Sequence, residues 1–243
     1  MKKISVIVPA HNEAAYLDGC LAAVSACGEH VEIEWEVIVV LNRCTDGTRQ
    51  IAESYGAVCI EDTSRCIAVV RNKGVAAASG DIIITCDADS RLHPLMFKRV
   101  LEELAKPNVV GGGVSIRWAR RSLGIAITER FVDAMAVLTG VTCGAFWTTK
   151  TAFESIGGFD EQKLIGKDVD FALRLKRWGK QQGRCYQRIK DAPLTTSSRK
   201  FDHFGDWILF KMLTTEALRI RRSIKGADTD FVDEYFYDFN DKK

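Results

Sequence analysis

Two aspartates one residue apart, Asp87 and Asp89, are the residues of this sequence best suited to chemistry. They follow the apolar run 82–86, which we predict to be a buried, parallel strand. Open α/β sheets bind ligands where such strands end. Two carboxylates this close repel each other unless a cation lies between them, and their hard oxygens suit Mg²⁺ or Mn²⁺ completed by substrate phosphates. The structural alternative is a pair of solvated loop aspartates beside a turn.

The elements that must position these aspartates alternate over about the first 105 residues. We predict strands and helices in turn from hydrophobic period, β-branched runs and capping signals. The predicted strands are 4–9, 35–41, 57–61 and 82–86, and the predicted helices are 14–26, 48–55, 67–79 and 94–105. This alternation indicates an α/β fold with a right-handed, mostly parallel, Rossmann-like sheet flanked by helices.

The second half of the sequence is less regular. Strands are predicted at 109–116 and 144–148, and helices at 126–138, 150–156, 168–178 and 207–224. No linker separates the halves, so we expect one domain over 1–243. Its expected parts are a nucleotide-binding half (1–105), a smaller acceptor and catalytic half (106–205), and a C-terminal helix with an acidic, aromatic tail (206–243).

Composition excludes several classes of protein. The 243 residues are 47% hydrophobic and 27% charged, and the net charge of +2 makes no electrostatic case for nucleic acid binding. No stretch approaches the ~20 apolar residues that span a bilayer, and the start does not read as a signal peptide. The eight cysteines form no C-x-x-C pair, so we expect free thiols in a reducing compartment and no zinc site.

A series of short stretches, taken in order, resembles the inverting family 2 glycosyltransferases, which have the GT-A fold. The stretches are Pro9-Ala10-His11-Asn12-Glu13, the segment 41–48, Arg71-Asn72-Lys73-Gly74 with 78–81, Asp87-Ala88-Asp89, and 157–160 followed by 167–171. Each stretch alone is weak, but the ordered set is specific and covers residues 4 to about 200. No G-x-G-x-x-G follows the first strand, which argues against a dinucleotide enzyme.

The resemblance implies a donor site, a metal site and a base. The residues it implies for the nucleotide-sugar donor are Pro9, Ala10, Glu13, Asn42, Arg71, Asp87 and Arg199. The implied metal ligands are Asp89 with Asp87 nearby, and His203 is a further candidate that otherwise reads as an ordinary surface or core histidine. Arg199 and Lys200 suit phosphate oxygens.

Asp168 is the expected base that takes a proton from the acceptor hydroxyl. The alternative for Asp168 is that it only caps the N-terminus of the helix. Asp170 lies two residues on and is expected to face elsewhere on the helix, so we rank it below Asp168 as a base. Glu13 has a similar alternative as a first-turn helix residue. For Asp46 we favour the structural interpretation, an Asx turn that caps the next helix.

Two residues depart from the family pattern. Asn42 stands where the family usually has aspartate, so the choice between uracil and guanine stays open. Lys167 stands where the family has glutamate, and it either approaches Asp168 and lowers its pKa or contacts an anionic group.

The resemblance, together with the candidate site residues, implies metal-dependent, inverting transfer of a sugar from a nucleotide-sugar donor to a hydroxyl of an acceptor. The acceptor is a sugar, a lipid-linked molecule or a small molecule. The alternatives are a non-catalytic nucleotide-sugar-binding protein and a sugar nucleotidyltransferase. For location we favour the cytoplasm. Contact of the basic helix 207–224 with the inner face of a membrane is the alternative. The sequence does not indicate an oligomeric state.

Overall fold

The computed structural model describes residues 2–163 and 166–214. Its strands are β1 Ile4–Ala10, β2 Trp35–Asn42, β3 Val58–Asp62, β4 Ile82–Thr85, β5 Ser90–Arg91, β6 Val109–Trp118, β7 Phe146–Thr149 and β8 Cys185–Thr196. Its helices are α1 Leu17–Gly28, α2 Thr48–Ser54, α3 Ile67–Ala77, α4 Met96–Leu104, α5 Leu123–Thr139, α6 Lys150–Ser155, α7 Lys167–Gln181, α8 Arg199–Phe204 and α9 Ile208–Thr214. The elements predicted within the first 105 residues are all present, and their ends differ from prediction by at most three residues.

The eight described strands form a single sheet in the order β3-β2-β1-β4-β7-β6-β8-β5. β7 is antiparallel to both of its neighbours and β5 is antiparallel to β8, whereas all other pairings are parallel. Six of these eight strands therefore run in one direction, which confirms a mostly parallel sheet. Their carboxyl ends share one side of the sheet, which we call the carboxyl edge, and we call the opposite side the amino edge.

The sheet is buried on both faces, as expected of parallel strands covered by helices. Along β1, Val6 and Val8 face one hydrophobic cluster, which includes residues of α1 and α4. Ile7 faces a second cluster, which includes residues of α3, α6 and α7. The strand's two-residue period sends alternate side chains into these two cores. The fold thus fixes the strand ends from both sides, and the loops at the carboxyl edge start from rigid supports.

The second half of the chain departs more from prediction. The two-residue strand β5, the short helix α8 and the long strand β8 have no counterpart among the elements predicted above. The helix predicted over 207–224 is seen as α9, and its basic end and the acidic tail lie outside the described residues. No helix in the described part of the chain is long and apolar enough to cross a membrane. All eight cysteines are free.

Candidate active site

The carboxyl edge gathers the ends of β1, β2, β3, β4 and β8. Pro9 and Ala10, predicted to contact the donor, are the last residues of β1 and are buried. Their side chains carry no polar atoms, so a ligand can meet them only through the backbone or through apolar packing. The chain then turns at Asn12, whose φ of 51° is left-handed, and reaches Glu13.

Arg71, on α3, joins two of the predicted functional carboxylates. Its Nη2 donates to Asp87 Oδ1 at 2.7 Å, and its Nη1 donates to Asp168 Oδ1 at 2.6 Å. The side chain is only 4% exposed and lies over the ring of Phe159. Burial alone would lower the pKa of Arg71, but the charges of Asp87 and Asp168 outweigh it and raise the pKa above its usual range. The guanidinium therefore stays charged, and we call this group the Arg71 bridge.

Asp168 is held in place because segments far apart in sequence are clamped together. Asn72 Nδ2 donates to Phe159 O, and Asn72 Oδ1 accepts from Phe159 N, both at 2.9 Å. Gly158 permits this close approach, because a Cβ at that position would lie 2.7 Å from Asn72 Oδ1. The Phe159 ring stacks on Phe171 of α7, with centroids 4.3 Å apart. The stack fixes the start of α7, which carries Asp168.

The start of α7 separates the two aspartates of its first turn. Its N-cap is a left-handed glycine, and no side chain caps the helix. Asp168 turns its carboxylate toward Arg71 instead, so the N-cap interpretation of this residue is wrong. Asp170 pairs with Lys163 and Arg174 on another side of the helix. This separation agrees with the expectation that Asp170 faces elsewhere on the helix.

Arg199, the first residue of α8, joins the other predicted carboxylates. Its Nη1 and Nη2 donate to the two carboxylate oxygens of Glu13, both at 2.8 Å, and its Nε lies 3.1 Å from Asp89 Oδ2. Ser197 Oγ donates to the same oxygen of Asp89 at 2.6 Å. The guanidinium also lies over the ring of Tyr16. We call this group the Arg199 bridge, and its bidentate geometry gives Glu13 the role of orienting Arg199.

Negative charge is in excess at this edge. Within the described residues, the two bridges gather the carboxylates of Glu13, Asp87, Asp89 and Asp168 around two guanidinium groups. Lys200, next in the chain, adds a third positive charge and interacts electrostatically with three of these carboxylates. Four carboxylates against three cations leave the edge able to accept a further cation.

Asp87 and Asp89 each keep one oxygen turned away from the arginines. Asp87 Oδ2 has no hydrogen-bond or ion-pair partner in the described part of the chain, and Asp89 Oδ1 takes only a long bond from Ser90 Oγ, at 3.3 Å. Such hard oxygens fit Mg²⁺ or Mn²⁺ whose other ligands come from water and substrate phosphates. His203 lies exposed on α8 against the ring of Phe204.

Residues 2–163 and 166–214 contain no group of three or more His, Cys, Asp or Glu that could hold a metal ion. Asp87, Asp89 and His203 as metal ligands therefore stay a prediction.

Asn42 ends β2 and is bound to a carboxylate that the sequence did not draw attention to. Its Nδ2 donates to Asp62 Oδ1 at 2.8 Å and to Ser64 O at 2.7 Å. A carboxylate therefore lies beside position 42, supplied by Asp62 at the end of β3. The predicted strand 57–61 ended one residue early and missed Asp62. The position of Asp62 at the end of a strand whose first residues are apolar is the signal that could have identified it.

Asp46 is structural, as predicted. Its Oδ1 accepts from Thr48 N at 3.0 Å, and its Oδ2 accepts from Ala14 N at 3.1 Å. These bonds form an Asx turn before α2 and tie it to the loop after β1. Thr48 Oγ1 accepts in turn from the backbone N–H of Glu13 at 2.8 Å. Asp46 thus helps to hold the backbone of Glu13 through Thr48, and both of its carboxylate oxygens accept hydrogen bonds from within the chain.

Lys167 is buried, with 6% of its surface exposed. Its Nζ donates to Cys66 Sγ at 3.2 Å, and it makes no ion pair with Asp168 or any other carboxylate of the described residues. Of the two contacts expected for Lys167, an approach to Asp168 is therefore not seen. The structure gives Lys167 a thiol partner beside the start of α3.

Both a family model and a curated relative match this sequence. The model of the family described as "Glycosyl transferase family 2" matches residues 5–158, more than half of the chain. The glycosyltransferase AglE of Haloferax volcanii is 27% identical over 185 residues, which cover 70% of this chain. The chain spans 60% of the length of AglE. The match to the family model ends before Asp168.

Solved structures have the same architecture. TarS residues 1–349 of S. aureus, in complex with UDP-GlcNAc, align with a TM-score of 0.63 at 17% identity, covering 81% of this chain and 58% of that one. Glucosyl-3-phosphoglycerate synthase of Mycobacterium tuberculosis, with Mn²⁺, UDP and glucosyl-3-phosphoglycerate, aligns with a TM-score of 0.60 at 20% identity, covering 84% of this chain and 75% of that one. The predicted α/β fold is confirmed.

Proposed function

This chain belongs to glycosyl transferase family 2, and from that premise we propose that it transfers a sugar from a nucleotide-sugar donor to an acceptor hydroxyl, with inversion and with the help of Mg²⁺ or Mn²⁺. One observation carries the proposal. The Arg71 bridge holds a candidate base, Asp168, and a donor-side carboxylate, Asp87, on the two ends of one buried guanidinium. A base and a leaving group on opposite sides of one sugar carbon is the arrangement that direct displacement requires.

Asp168 would receive the proton of the acceptor hydroxyl. Its Oδ1 is occupied by Arg71, while Oδ2 has no hydrogen-bond or ion-pair partner among the described residues. As the proton moves to Asp168, the acceptor oxygen bonds to the anomeric carbon and the bond from that carbon to the phosphate oxygen breaks. The nucleoside diphosphate leaves with the electron pair, and a single displacement of this kind inverts the anomeric centre.

The donor side would bind the diphosphate through positively charged side chains and through a cation held by carboxylates. Asp87 and Asp89 would hold the cation through the oxygens that the arginines leave unused. A bound Mg²⁺ or Mn²⁺ supplies positive charge against the negative charge that develops on the leaving group. Arg199 and Lys200 carry further positive charge at the same loop, where phosphate oxygens can accept from them.

Two further facts support a nucleotide-sugar donor. TarS was crystallised with UDP-GlcNAc, and the mycobacterial synthase was crystallised with UDP and Mn²⁺. These ligands belong to proteins that share the fold with this chain at 17% and 20% identity. They make uridine diphosphate sugars with a divalent cation the first substrates to try, and guanosine diphosphate sugars come next because the choice of base stays open. The acceptor class stays open between sugars, lipid-linked molecules and small molecules.

A panel of nucleotide-sugars tests the proposal. The full chain is incubated with each donor in Mn²⁺, in Mg²⁺ and in excess chelator, and released nucleoside diphosphate is measured. We expect slow hydrolysis of at least one donor that stops in chelator, and the released sugar should carry the inverted anomeric configuration. Binding without turnover of any donor would favour a non-catalytic binding protein. Release of pyrophosphate from a nucleoside triphosphate and a sugar phosphate would favour a nucleotidyltransferase.

A further inference from the structure

Two arginines of the sheet share one carboxylate of α5. Arg188 lies on β8 and Arg117 lies near the end of β6, and both contact Asp133. Asp133 Oδ1 accepts from Arg188 Nη2, and Asp133 Oδ2 accepts from Arg117 Nη1 at 3.3 Å. Arg188 Nε also donates to Ser115 Oγ at 3.1 Å, and Arg117 Nη1 donates to Ile116 O at 2.7 Å. These contacts hold the two guanidinium groups side by side, and we call Arg117 and Arg188 the arginine pair.

The arginine pair keeps donors that the fold does not use. Arg117 Nε and Nη2 and Arg188 Nη1 have no hydrogen-bond partner among residues 2–163 and 166–214. None of these three nitrogens is shut off from solvent. The side chains of Arg117 and Arg188 are 37% and 15% exposed, so a ligand can reach the free donors while the fold holds the rest of each side chain.

The carboxylates around the arginine pair do not balance its charge. Asp133 neutralises one of the two guanidinium groups. Glu129, one turn earlier on α5, accepts instead from the backbone N–H of Trp118 at 3.0 Å and makes no ion pair within the described part of the chain. Even with Asp133 beside it, burial and then the charge of Arg117 lower the pKa of Arg188. An anion that accepts from both guanidinium groups would remove this imbalance.

The sheet order separates the arginine pair from the donor residues. β6 and β8 lie beyond β7, on the other side of β4 from β1 and β2. Asp87 and Asp89 follow β4, and Asn42 ends β2. A nucleotide whose phosphates meet these two aspartates can extend toward β1 and β2, away from the arginine pair. The side of the site near β6 and β8 is thus left for the acceptor.

Tyr186 connects the arginine pair with the candidate base. Tyr186 and Arg188 are two residues apart on β8, so they share one face of the sheet and their Cα atoms are about 7 Å apart. Tyr186 Oη donates to Thr142 O at 3.3 Å. Burial is the main cause that raises the pKa of Cys143 and of Tyr186 to about 12, and the nearby charge of Asp168 adds to both increases. An acceptor whose hydroxyl meets Asp168 can therefore direct its other groups past Tyr186 toward the arginine pair.

We propose that the arginine pair binds an acidic group of the acceptor, a phosphate monoester or a carboxylate, and that Asp133 positions the pair. This inference rests on the proposed function and names the acceptor class that it leaves open. Planar guanidinium groups bind such oxyanions through paired hydrogen bonds, which a neutral side chain cannot supply. Positive charge at this point also offsets the repulsion between an acidic acceptor and the diphosphate of the donor. The acidic group belongs either to a soluble molecule or to a lipid headgroup.

Calorimetric titration of the full chain with glycerol 3-phosphate tests the soluble source. The protein is first saturated with Mn²⁺ and with UDP or GDP, so that the phosphate probe cannot enter the donor site. Glycerol 3-phosphate should bind at least about tenfold more tightly than glycerol, since hydrogen bonds to a charged group are worth that much. Arg117→Gln and Arg188→Gln should each remove most of this difference. Arg130→Gln, an exposed arginine on the same helix as Asp133, is the matched control and should bind as the wild type does.

Co-sedimentation with vesicles tests the lipid source. Phosphatidylglycerol vesicles carry a phosphate beside free hydroxyls, and phosphatidylcholine vesicles, without net charge, are the control. Binding to phosphatidylglycerol that both pair variants weaken several-fold, and that Arg130→Gln does not weaken, assigns the acidic group to a lipid headgroup. Because Arg130→Gln removes the same charge, the comparison separates a specific contact from general attraction to an anionic surface. Glycerol 3-phosphate binding without vesicle binding assigns the acidic group to a soluble acceptor.

Failure of both probes to bind overturns this inference, and so does binding of both probes to the pair variants as tightly as to Arg130→Gln. The proposed function stands in either case, because the nucleoside diphosphate still binds with Mn²⁺. If neither UDP nor GDP binds to the wild type, the proposed function falls and this inference falls with it. Arg117, the more exposed member of the pair, supplies the deciding variant if Arg188→Gln does not fold.

Discussion

The two edges of the sheet both hold buried or half-buried carboxylates, and they treat them differently. At the amino edge, Glu36 accepts hydrogen bonds from Lys3 Nζ, from Ser5 Oγ and from both the N–H and the Oγ of Ser79. At the carboxyl edge, four carboxylates depend on the Arg71 and Arg199 bridges. Glu36 therefore accepts more hydrogen bonds than it has carboxylate oxygens. At the carboxyl edge, four carboxylates share the guanidinium groups of two arginines.

The difference teaches how a structural carboxylate can be told from a functional one. Burial raises the pKa of Glu36, but the hydrogen bonds from Ser5, Lys3 and Ser79 outweigh it and lower the pKa to about 2. Such a group is satisfied by the fold alone. Asp87 is half-exposed and has an oxygen without a partner among the described residues. Changes at the amino edge should therefore alter stability, and changes at the carboxyl edge should alter activity.

The largest effect should come from Asp168→Asn. Removing the base should lower the rate of transfer on the order of 10³-fold or more, with affinity for the nucleoside diphosphate nearly unchanged. Steady-state rates and calorimetry measure the two quantities. Asp170→Asn, in the same helical turn but paired with Lys163 and Arg174, is the control and should keep most of the activity. An equal loss of rate and of nucleotide affinity would assign Asp168 to the donor site.

Asp89→Asn should have the next largest effect. It removes a charged metal ligand, so we expect turnover to fall by about 10²-fold to 10³-fold and the response to added Mn²⁺ to weaken. The matched control is Asp81→Asn, an exposed aspartate directly before β4, at the amino edge. Full activity of Asp89→Asn, or full activity of the wild type in excess chelator, would contradict a metal role. Both variants should keep the melting temperature of the wild type within a few degrees.

A smaller effect should follow Arg71→Lys. An ammonium cannot donate to Asp87 and Asp168 in the fixed fork that a guanidinium provides, so the base loses its orientation. We expect a rate about 10-fold to 100-fold lower, and a loss of stability because the side chain is buried. Arg71→Lys combined with Asp168→Asn should be no slower than Asp168→Asn alone, since both changes disable the same base. Additive losses in the double variant would separate Arg71 from the base.

The smallest effect on activity should come from the amino edge, where Glu36→Gln should leave the rate unchanged. It should lower stability at neutral pH by about 1–3 kcal/mol. Because the folded pKa of Glu36 is about 2 and its ordinary value is 4.5, its contribution is complete above pH 4.5 and disappears as pH falls toward 2. Denaturation curves from pH 7 to pH 2 should therefore converge for the wild type and the variant.

The control for this amino-edge variant is Glu34→Gln, because Glu34 is exposed and lies directly before β2. It should follow the wild type at every pH. If Glu36→Gln instead reduces the rate of transfer as strongly as a variant at the carboxyl edge, the division between a structural edge and a functional edge is wrong.

The fold was largely readable from the sequence, because strands and helices depend on local pattern. β-branched runs ending in polar residues identified β1, β2 and β4. The D-x-D after β4 and the family resemblance supplied Asp87, Asp89 and Asp168 as candidate site residues, and their roles stay predictions. The strand β5, with two residues, has no pattern of its own, and it exists because Ser90 and Arg91 pair with the end of β8. Such elements are fixed by their partners and carry no local signal.

Side-chain pairing was the part that the sequence could not provide. Arg71 and Asp168 are 97 residues apart, and Glu13 and Arg199 are 186 residues apart. A local pattern identifies each residue as polar and placed at a strand end, but not which charge it meets across the sheet. Predicting Glu13 and Arg199 as separate ligand contacts therefore missed that they orient each other.

The same separations determine when the site can form during synthesis. The strands β1 to β4 lie within about the first 85 residues, so all of their pairings can form before residues 168 and 199 are made. Contacts between distant residues come later, since the chain between them must be ordered first. Asp168 and Arg199 are synthesised after strands β1 to β4, near whose carboxyl ends they lie. A growing chain thus carries Asp87 and Asp89 early and can complete the Arg71 and Arg199 bridges only once Asp168 and Arg199 have been made.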